Sequence, residues 1–203
     1  MDADAVELRV LGSLIEKQRT TPDTYPLSLN ALKLACNQAT NREPVVQYDE
    51  VTIRAALDRL ARRGWTRLAS GPGSRVAKFR HLLDEALRLD VGSVSLLAVL
   101  MLRGPQTAAE LRARSERLHP FLSMEEVERA LAGLEERELV RLLPRRPGER
   151  EQRYVQLLGG AEAAPEAAIG ETLGAPASEL EERVARLEEQ VASLQAALER
   201  FAS

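Results

Sequence analysis

One pattern of residues occurs twice in this chain of 203 residues, about 75 positions apart. Two leucines and an arginine, each three positions after the last, come first in both copies: Leu57, Leu60 and Arg63, then Leu131, Leu134 and Arg137. A Pro-Gly-x-Arg string follows at 72–75 and at 147–150. The offset is therefore 74 residues at first and 75 from the Pro-Gly onward. A repeat of this size predicts two small domains that share one fold.

Both copies carry the signs of three helices followed by two short strands. In the first copy, apolar residues at helical spacing begin at Leu8, and Ser28 and Asp49 are candidate N-caps for the second and third helices. In the second copy, a helix from about Ser93 to Leu102 precedes Thr107 and Ser123, each with a glutamate three positions later, as in a capping box. Strands are expected on either side of each Pro-Gly turn, at 65–69 and 75–80, then at 140–143 and 152–157. This order is typical of the winged helix. We therefore predict a mainly α protein with small β-wings (class α+β), with tandem winged helix-turn-helix domains at 1–84 and 85–158.

The remaining residues predict a linker and a coiled coil. Residues 159–178 are rich in Ala, Gly, Glu and Pro, which indicates a flexible linker. Residues 179–203 then place apolar side chains at alternating steps of four and three. These predicted dimerisation positions are Leu180, Val184, Leu187, Val191, Leu194, Leu198 and Phe201. We expect a homodimer; the alternative is a helix that packs on its own chain.

Catalysis, cofactor binding and membrane insertion are not expected. The sequence has no phosphate-binding glycine loop and no nucleophile elbow, so we expect no enzymatic activity and no cofactor. His81 and His119 lack neighbours at metal-ligand spacing, so we expect no metal. Cys36 is in phase with buried leucines and is interpreted as a small core residue. The acidic start lacks a signal-peptide core, and the apolar run at 94–102 is too short to span a bilayer. We expect a cytoplasmic protein.

Residues 16–44 carry a distinctive string, Glu-Lys-Gln-Arg-Thr-Thr-Pro-Asp-Thr-Tyr-Pro-Leu-Ser-Leu-Asn, followed by Ala-Cys-Asn-Gln at 35–38 and Asn-Arg-Glu-Pro at 41–44. In these residues the chain resembles the bacterial YceH-like family of uncharacterised proteins. The resemblance covers about residues 5–158. It implies tandem winged-helix domains, and it implies no established activity.

The third helix and wing of the first copy are strongly basic. Between residues 50 and 80, eight basic residues and two acidic ones leave a local charge of +6, in a chain whose net charge is −3. Concentrated positive charge suits contact with phosphates of double-stranded DNA. The predicted DNA-binding residues are Asn41, Arg42, Thr52, Arg54, Arg59, Arg62, Arg75, Lys78 and Arg80. For Asn41 and Arg42, helix capping and loop closure are the alternative interpretation.

The third helix of the second copy has the opposite charge. Six glutamates and two arginines between residues 124 and 138 give −4, which phosphate would repel. The leading hypothesis is thus a DNA-binding, transcription-regulator-like protein that uses the first copy. The alternative is a non-enzymatic adaptor that binds a protein partner through the acidic helix and the coiled coil. The basic third helix of the first copy also has an explanation without DNA binding: an arginine-rich helix that faces solvent and forms local ion pairs.

Overall fold

The computed structural model describes residues 2–70, 76–145, 148 and 151–160, and the fold is built from short helices and small antiparallel sheets. The helices are α1 (Ala5–Thr20), α2 (Leu29–Cys36), α3 (Glu50–Arg62), α4 (Leu83–Leu87), α5 (Val91–Arg103), α6 (Ala108–Ser115) and α7 (Met124–Glu136), and a 3₁₀ turn spans Pro22–Thr24. The strands are β1 (Leu27–Ser28), β2 (Thr66–Leu68), β3 (Lys78–His81), β4 (Val140–Leu142) and β5 (Tyr154–Gln156). The predicted mixture of helices with small strands is confirmed.

Helices α2, α3, α6 and α7 begin where the sequence predicts caps. Ser28 and Asp49 accept hydrogen bonds from the backbone of the first turn of α2 and α3. Thr107 forms a complete capping box with Glu110 at the start of α6, and Ser123 caps α7. These caps satisfy N–H groups that have no partner inside the helix.

Two short elements lie outside the predicted set. β1 pairs with β3 and forms a three-stranded sheet in the order β1-β3-β2, whereas β4 and β5 form a two-stranded sheet. In the second copy, a single bridge between Gln106 and Tyr154 replaces β1. Helix α4, five residues long, joins the copies.

Helix α5 begins at Val91 rather than near Ser93, because Asp90 is its N-cap.

The backbone repeats with the register of the sequence. Helices α3 and α7 both span 13 residues and begin 74 positions apart, as do β2 and β4. The chain leaves each helix through one left-handed residue, Gly64 with φ 75° and Glu138 with φ 54°. The next N–H bonds back into the helix in both copies, from Trp65 to the Leu60 carbonyl and from Leu139 to the Leu134 carbonyl. The duplication therefore extends to individual hydrogen bonds.

The two copies share one hydrophobic core, in which α1 packs along α5. Leu11 and Leu14 of α1 and Leu97 of α5 are fully buried. The helices approach closely at Gly12, where a Cβ would lie 2.9 Å from Leu102 Cγ. Because the core is continuous, the division into domains at residues 84 and 85 stays a prediction.

Several predicted features fall outside the described residues. They are the turn at 71–75 with Arg75, most of the second turn at 146–150, the linker beyond residue 160 and the predicted coiled coil at 179–203. Within the described residues, no helix is long and apolar enough to cross a bilayer.

Candidate nucleic-acid interface

Helix α3 presents one face to the core and the opposite face to solvent. Ile53 and Leu60 are completely buried, and this fixes the rotation of the helix. Helical spacing then places Arg54, Asp58 and Arg62 on the exposed side. Among the described residues, the side chains of Arg54 and Arg62 have no hydrogen-bond or ion-pair partner. Their charges are therefore available to an external anion.

Two other arginines of this region are tied to the start of α1. Arg59 Nη2 lies 2.6 Å from Asp4 Oδ2, and Arg59 Nε lies 3.5 Å from Glu7 Oε2. Arg63 Nε lies 3.3 Å from Glu7 Oε1. Glu7 is only 1% exposed, and a buried carboxylate needs a counter-charge. Arg59 and Arg63 provide that charge. Arg59, a predicted DNA contact, thus has an internal partner, and part of the +6 is neutralised inside the fold.

The strands β2 and β3 add further positive charge. Arg67 lies directly opposite Arg80 in the antiparallel pair, and both Arg67 and Lys78 are exposed. Like charges opposite each other destabilise a sheet unless a counter-ion is present. For Arg80 that counter-ion is Glu85, at 2.5 Å. Arg67 and Lys78 have no such partner within the described part of the chain.

Thr52 lies beside this exposed face and is half-buried. Its backbone N–H donates to Asp49 Oδ1 at 2.7 Å, as the N-cap requires. This backbone hydrogen bond holds the pKa of Asp49 below its usual value. The N-cap hydrogen bond therefore holds Thr52 in the first turn of α3, at the edge of its exposed face.

Asn41 and Arg42 are located elsewhere, against α1 and α5. The Arg42 side chain is completely buried and forms an ion pair with Glu16 of α1, with 2.5 Å between Nη2 and Oε2. It also donates to the carbonyl of Ala35 and to Gln38 Oε1. Asn41 adopts φ 59°, and its Oδ1 accepts a hydrogen bond from Arg103. The structure favours the loop-closure interpretation of Arg42, since a buried guanidinium cannot reach DNA. Asn41 is exposed, and its role in DNA contact stays a prediction.

Sequence reasoning missed the partner of Arg42, which is 26 positions away along the chain. The signal was present in the polar residues of this loop, which are Asn37, Gln38, Asn41 and Arg42. Asn37 closes the same loop, since its amide donates to the Tyr48 carbonyl at 2.8 Å and its own Oδ1 accepts from the Tyr48 N–H at 2.9 Å. A loop between two helices that carries several amides and an arginine indicates internal bonding at least as strongly as recognition.

His81 and Cys36 are buried titratable side chains. His81 is buried, and burial lowers its pKa to about 4. Its Nε2 lies 2.5 Å from Gln18 Oε1. Burial also raises the pKa of the fully buried Cys36 thiol to about 11, which agrees with its interpretation as a core residue. Across the described residues, no group of three or more His, Cys, Asp or Glu side chains is placed to hold a metal ion.

The second copy presents glutamates where the first presents arginines. At the offset of 74, Arg54 corresponds to Glu128 and Arg62 to Glu136, and all four side chains are exposed. The buried positions correspond as well, with Leu131 in place of Leu57. The scaffold is thus the same and the exposed charge is reversed.

These observations define a class of protein: two copies of a helix-and-strand unit share one core and expose third helices of opposite charge. The chain belongs to the DUF480 family, described as "Protein of unknown function, DUF480", whose model matches residues 3–149. This confirms the expected membership of a family of uncharacterised bacterial proteins.

Relatives of similar length share about half of the residues. A UPF0502 protein of Citrifermentans bemidjiense is 51% identical over 191 residues, covering 93% of this chain and 87% of the relative. A UPF0502 protein of Solibacter usitatus is 48% identical over 98% of this chain and 95% of its own length. A third, from Shewanella loihica, is 48% identical over 93% of this chain and 92% of its own length. The similarity therefore extends over nearly the whole of each protein.

Proposed function

We propose that this chain is a DNA-binding, transcription-regulator-like protein. We also propose that it has the two winged-helix domains that the YceH-like resemblance implies. In this proposal only the first copy contacts DNA, through α3 and the β2-β3 wing. A winged helix commonly places its third helix in the major groove and its wing on the backbone. The observation that carries the proposal is a set of exposed cations that have no partner among the described residues: Arg54, Arg62, Arg67 and Lys78.

The proposed contact set is smaller than the one predicted from the sequence. Arg59 and Arg80 are held by carboxylates, and Arg42 is buried. Thr52 and Arg54 stay in the proposed interface beside Arg62 and Lys78, and Arg75 stays in it on sequence grounds alone. Each phosphate contact contributes to affinity in a salt-dependent way, so a surface with few cations predicts modest, non-specific affinity.

The test is a fluorescence-polarisation titration of the full chain with random-sequence duplex DNA at several salt concentrations. The triple variant Arg54→Gln/Arg62→Gln/Lys78→Gln should bind at least tenfold more weakly, and its dependence on salt should be shallower by about one unit of slope per lost contact. The matched control is Arg129→Gln on the exposed face of α7, which should bind like the unmodified chain. Absence of binding at low salt, or an unchanged triple variant, contradicts the proposal.

The adaptor function is the second candidate, and the exposed surface of α7 favours it. Glu125, Glu128 and Glu136 are exposed along α7, and Leu122, which precedes the helix, is 89% exposed. An acidic helix that follows an exposed apolar side chain suits a basic protein partner better than nucleic acid. A pull-down with the Glu125→Lys/Glu128→Lys/Glu135→Lys variant separates the two functions: an adaptor loses a specific partner while DNA binding persists.

We further propose that the protein is a non-enzymatic cytoplasmic homodimer joined through the heptad positions at 180–201. The a and d spacing of these residues supports this, although they lie outside the described part of the chain. Light scattering should show a dimer for the full chain and a monomer for the Leu187→Asp/Leu194→Asp variant. A monomer in both cases contradicts the dimer.

A further inference from the structure

A cavity of about 640 Å³ lies where the first copy meets the second, between α1, the loop that precedes α3, and the turn that joins α5 to α6. Its apolar wall includes Leu8, Leu100 and Met101. Its charged lining consists of Arg9, Arg103, Arg114, Arg153, Glu43 and Glu110. The cavity thus combines an apolar wall with a strongly charged one, and its volume lies within the range of sites for small molecules.

Arg9 is a buried cation that lacks a carboxylate. The residue is 4% exposed, and its two terminal nitrogens donate to neutral carbonyls, those of Cys36 at 3.1 Å and Pro44 at 2.6 Å. Its Nε has no acceptor among the residues that the structure describes. Burial, with the nearby charge of Arg42, lowers the pKa of Arg9. A buried charge without a counter-ion is costly, so an anion at this wall would stabilise the fold.

Arg103 and Arg114 add to this positive charge. Both line the cavity and also a neighbouring one of about 240 Å³. Arg103 donates to the neutral amide oxygen of Asn41, and burial together with the charge of Arg114 lowers its pKa. Arg114 lies 3.5 Å from Glu110, whose other oxygen is 2.6 Å from Arg153. One glutamate thus serves two arginines, and the lining as a whole remains positive.

We propose that this cavity binds a small organic anion, whose carboxylate or phosphate group pairs with Arg9, Arg103 and Arg114 and whose apolar body contacts Leu100 and Met101. Guanidinium groups match both kinds of oxyanion through paired hydrogen bonds. The site is separate from the exposed face of α3 and does not depend on DNA binding.

A pair of fluorescent probes tests the charge requirement on the full chain. 1-Anilinonaphthalene-8-sulfonate is an organic anion, and N-phenyl-1-naphthylamine is its uncharged counterpart. The anionic probe should saturate at one molecule per chain, and the neutral probe should bind at least tenfold more weakly. Equal affinity for the two probes would show a merely apolar surface and overturn the proposal.

Two variants locate the site. Arg103→Gln and Arg114→Gln should each weaken binding of the anionic probe at least fivefold, while Arg129→Gln, which changes an exposed arginine of α7, should leave it unchanged. Circular dichroism and thermal melting check that each variant is folded. Arg114 is partly exposed, so its replacement is compatible with folding even if that of Arg103 is not. A folded Arg114→Gln chain with unchanged probe affinity would contradict the assignment.

Competition then identifies the anionic group. Displacement of the probe by inorganic phosphate indicates a phosphate-bearing ligand, and displacement by benzoate indicates a carboxylate-bearing one. If neither displaces it at millimolar concentration, the cavity is not an oxyanion site and the proposal fails.

Discussion

Glu16 of α1 and Arg42 of the loop before α3 form an ion pair with 2.5 Å between their charged atoms, and the Arg42 side chain is completely buried. The pair fixes this loop against the first helix. It also removes Arg42 from the surface of the proposed nucleic-acid interface. The same contact therefore explains the shape of the loop and limits the set of residues that can reach a ligand outside.

We predict that Glu16→Gln lowers the free energy of unfolding by roughly 3 kcal/mol, because it leaves a buried guanidinium without a counter-charge. The control is Lys33→Gln, which breaks the exposed ion pair with Glu50 and should cost less than about 1 kcal/mol. Urea denaturation of the three chains measures both effects. Equal losses of unfolding free energy in the two variants would show that the buried pair stabilises the protein no more than the exposed pair does.

The close approach of α1 and α5 predicts opposite outcomes at two helical glycines. Gly12→Val should destabilise the protein by about 1–3 kcal/mol, because the new side chain meets Leu102 and Met101. Gly133→Ala on α7 should stabilise it by up to about 1 kcal/mol, since its Cβ meets nothing within 4 Å and alanine favours the helix. Thermal melting distinguishes the two, and a stabilised Gly12→Val chain would contradict the tight packing of α1 on α5.

The buried His81 predicts a loss of stability in mild acid. Burial lowers its pKa to about 4, below the value of about 6.5 expected in the unfolded chain. The unfolded state then binds the proton more readily, so stability present above pH 6.5 is lost as the pH falls toward 4. From about pH 7 to about pH 5 the free energy of unfolding should fall by about 2 kcal/mol.

Denaturation curves of the His81→Gln variant provide the comparison for this pH effect. The variant retains His119 and all carboxylates, so only the contribution of the buried imidazole is removed. Its stability should change little over the same interval. An equally steep loss in the variant would assign the effect to other groups.

Cys36 should be unreactive in the folded protein. Its thiol is buried, with a pKa raised to about 11 by that burial, and thiolate is the reactive form. A thiol reagent such as dithiobisnitrobenzoate should modify the chain at about pH 8 only in denaturant, with one equivalent per chain. Rapid modification without denaturant would show that the core around α2 opens readily.

Local chemistry made some elements predictable and left others hidden. The caps at Ser28, Asp49, Thr107 and Ser123 were predicted because an N-cap bonds within three residues. Strand β1 has only two residues, and it exists because β3 pairs with it from 50 positions away. Tertiary pairing of this kind leaves no periodicity in the sequence.

In the candidate interface, too, local spacing predicted some features, and others depend on residues far away in the sequence. Arg54 and Arg62 could be placed on the exposed side of α3, since its apolar residues set the helical phase. The carboxylates that neutralise Arg59 come from Asp4 and Glu7, about 50 residues earlier. Counting charges along a segment therefore overestimates the charge that the folded surface presents.

The two ends of the duplicated unit meet. The N–H of Ala3 donates to the carbonyl of Leu158 at 2.9 Å, so the last residues of the second copy lie beside the first residues of α1. A short peptide could join these ends, and the chain could instead be opened near α4. We therefore expect that a circularly permuted gene for residues 3–158, with the acidic copy first, would encode the same arrangement of the two copies.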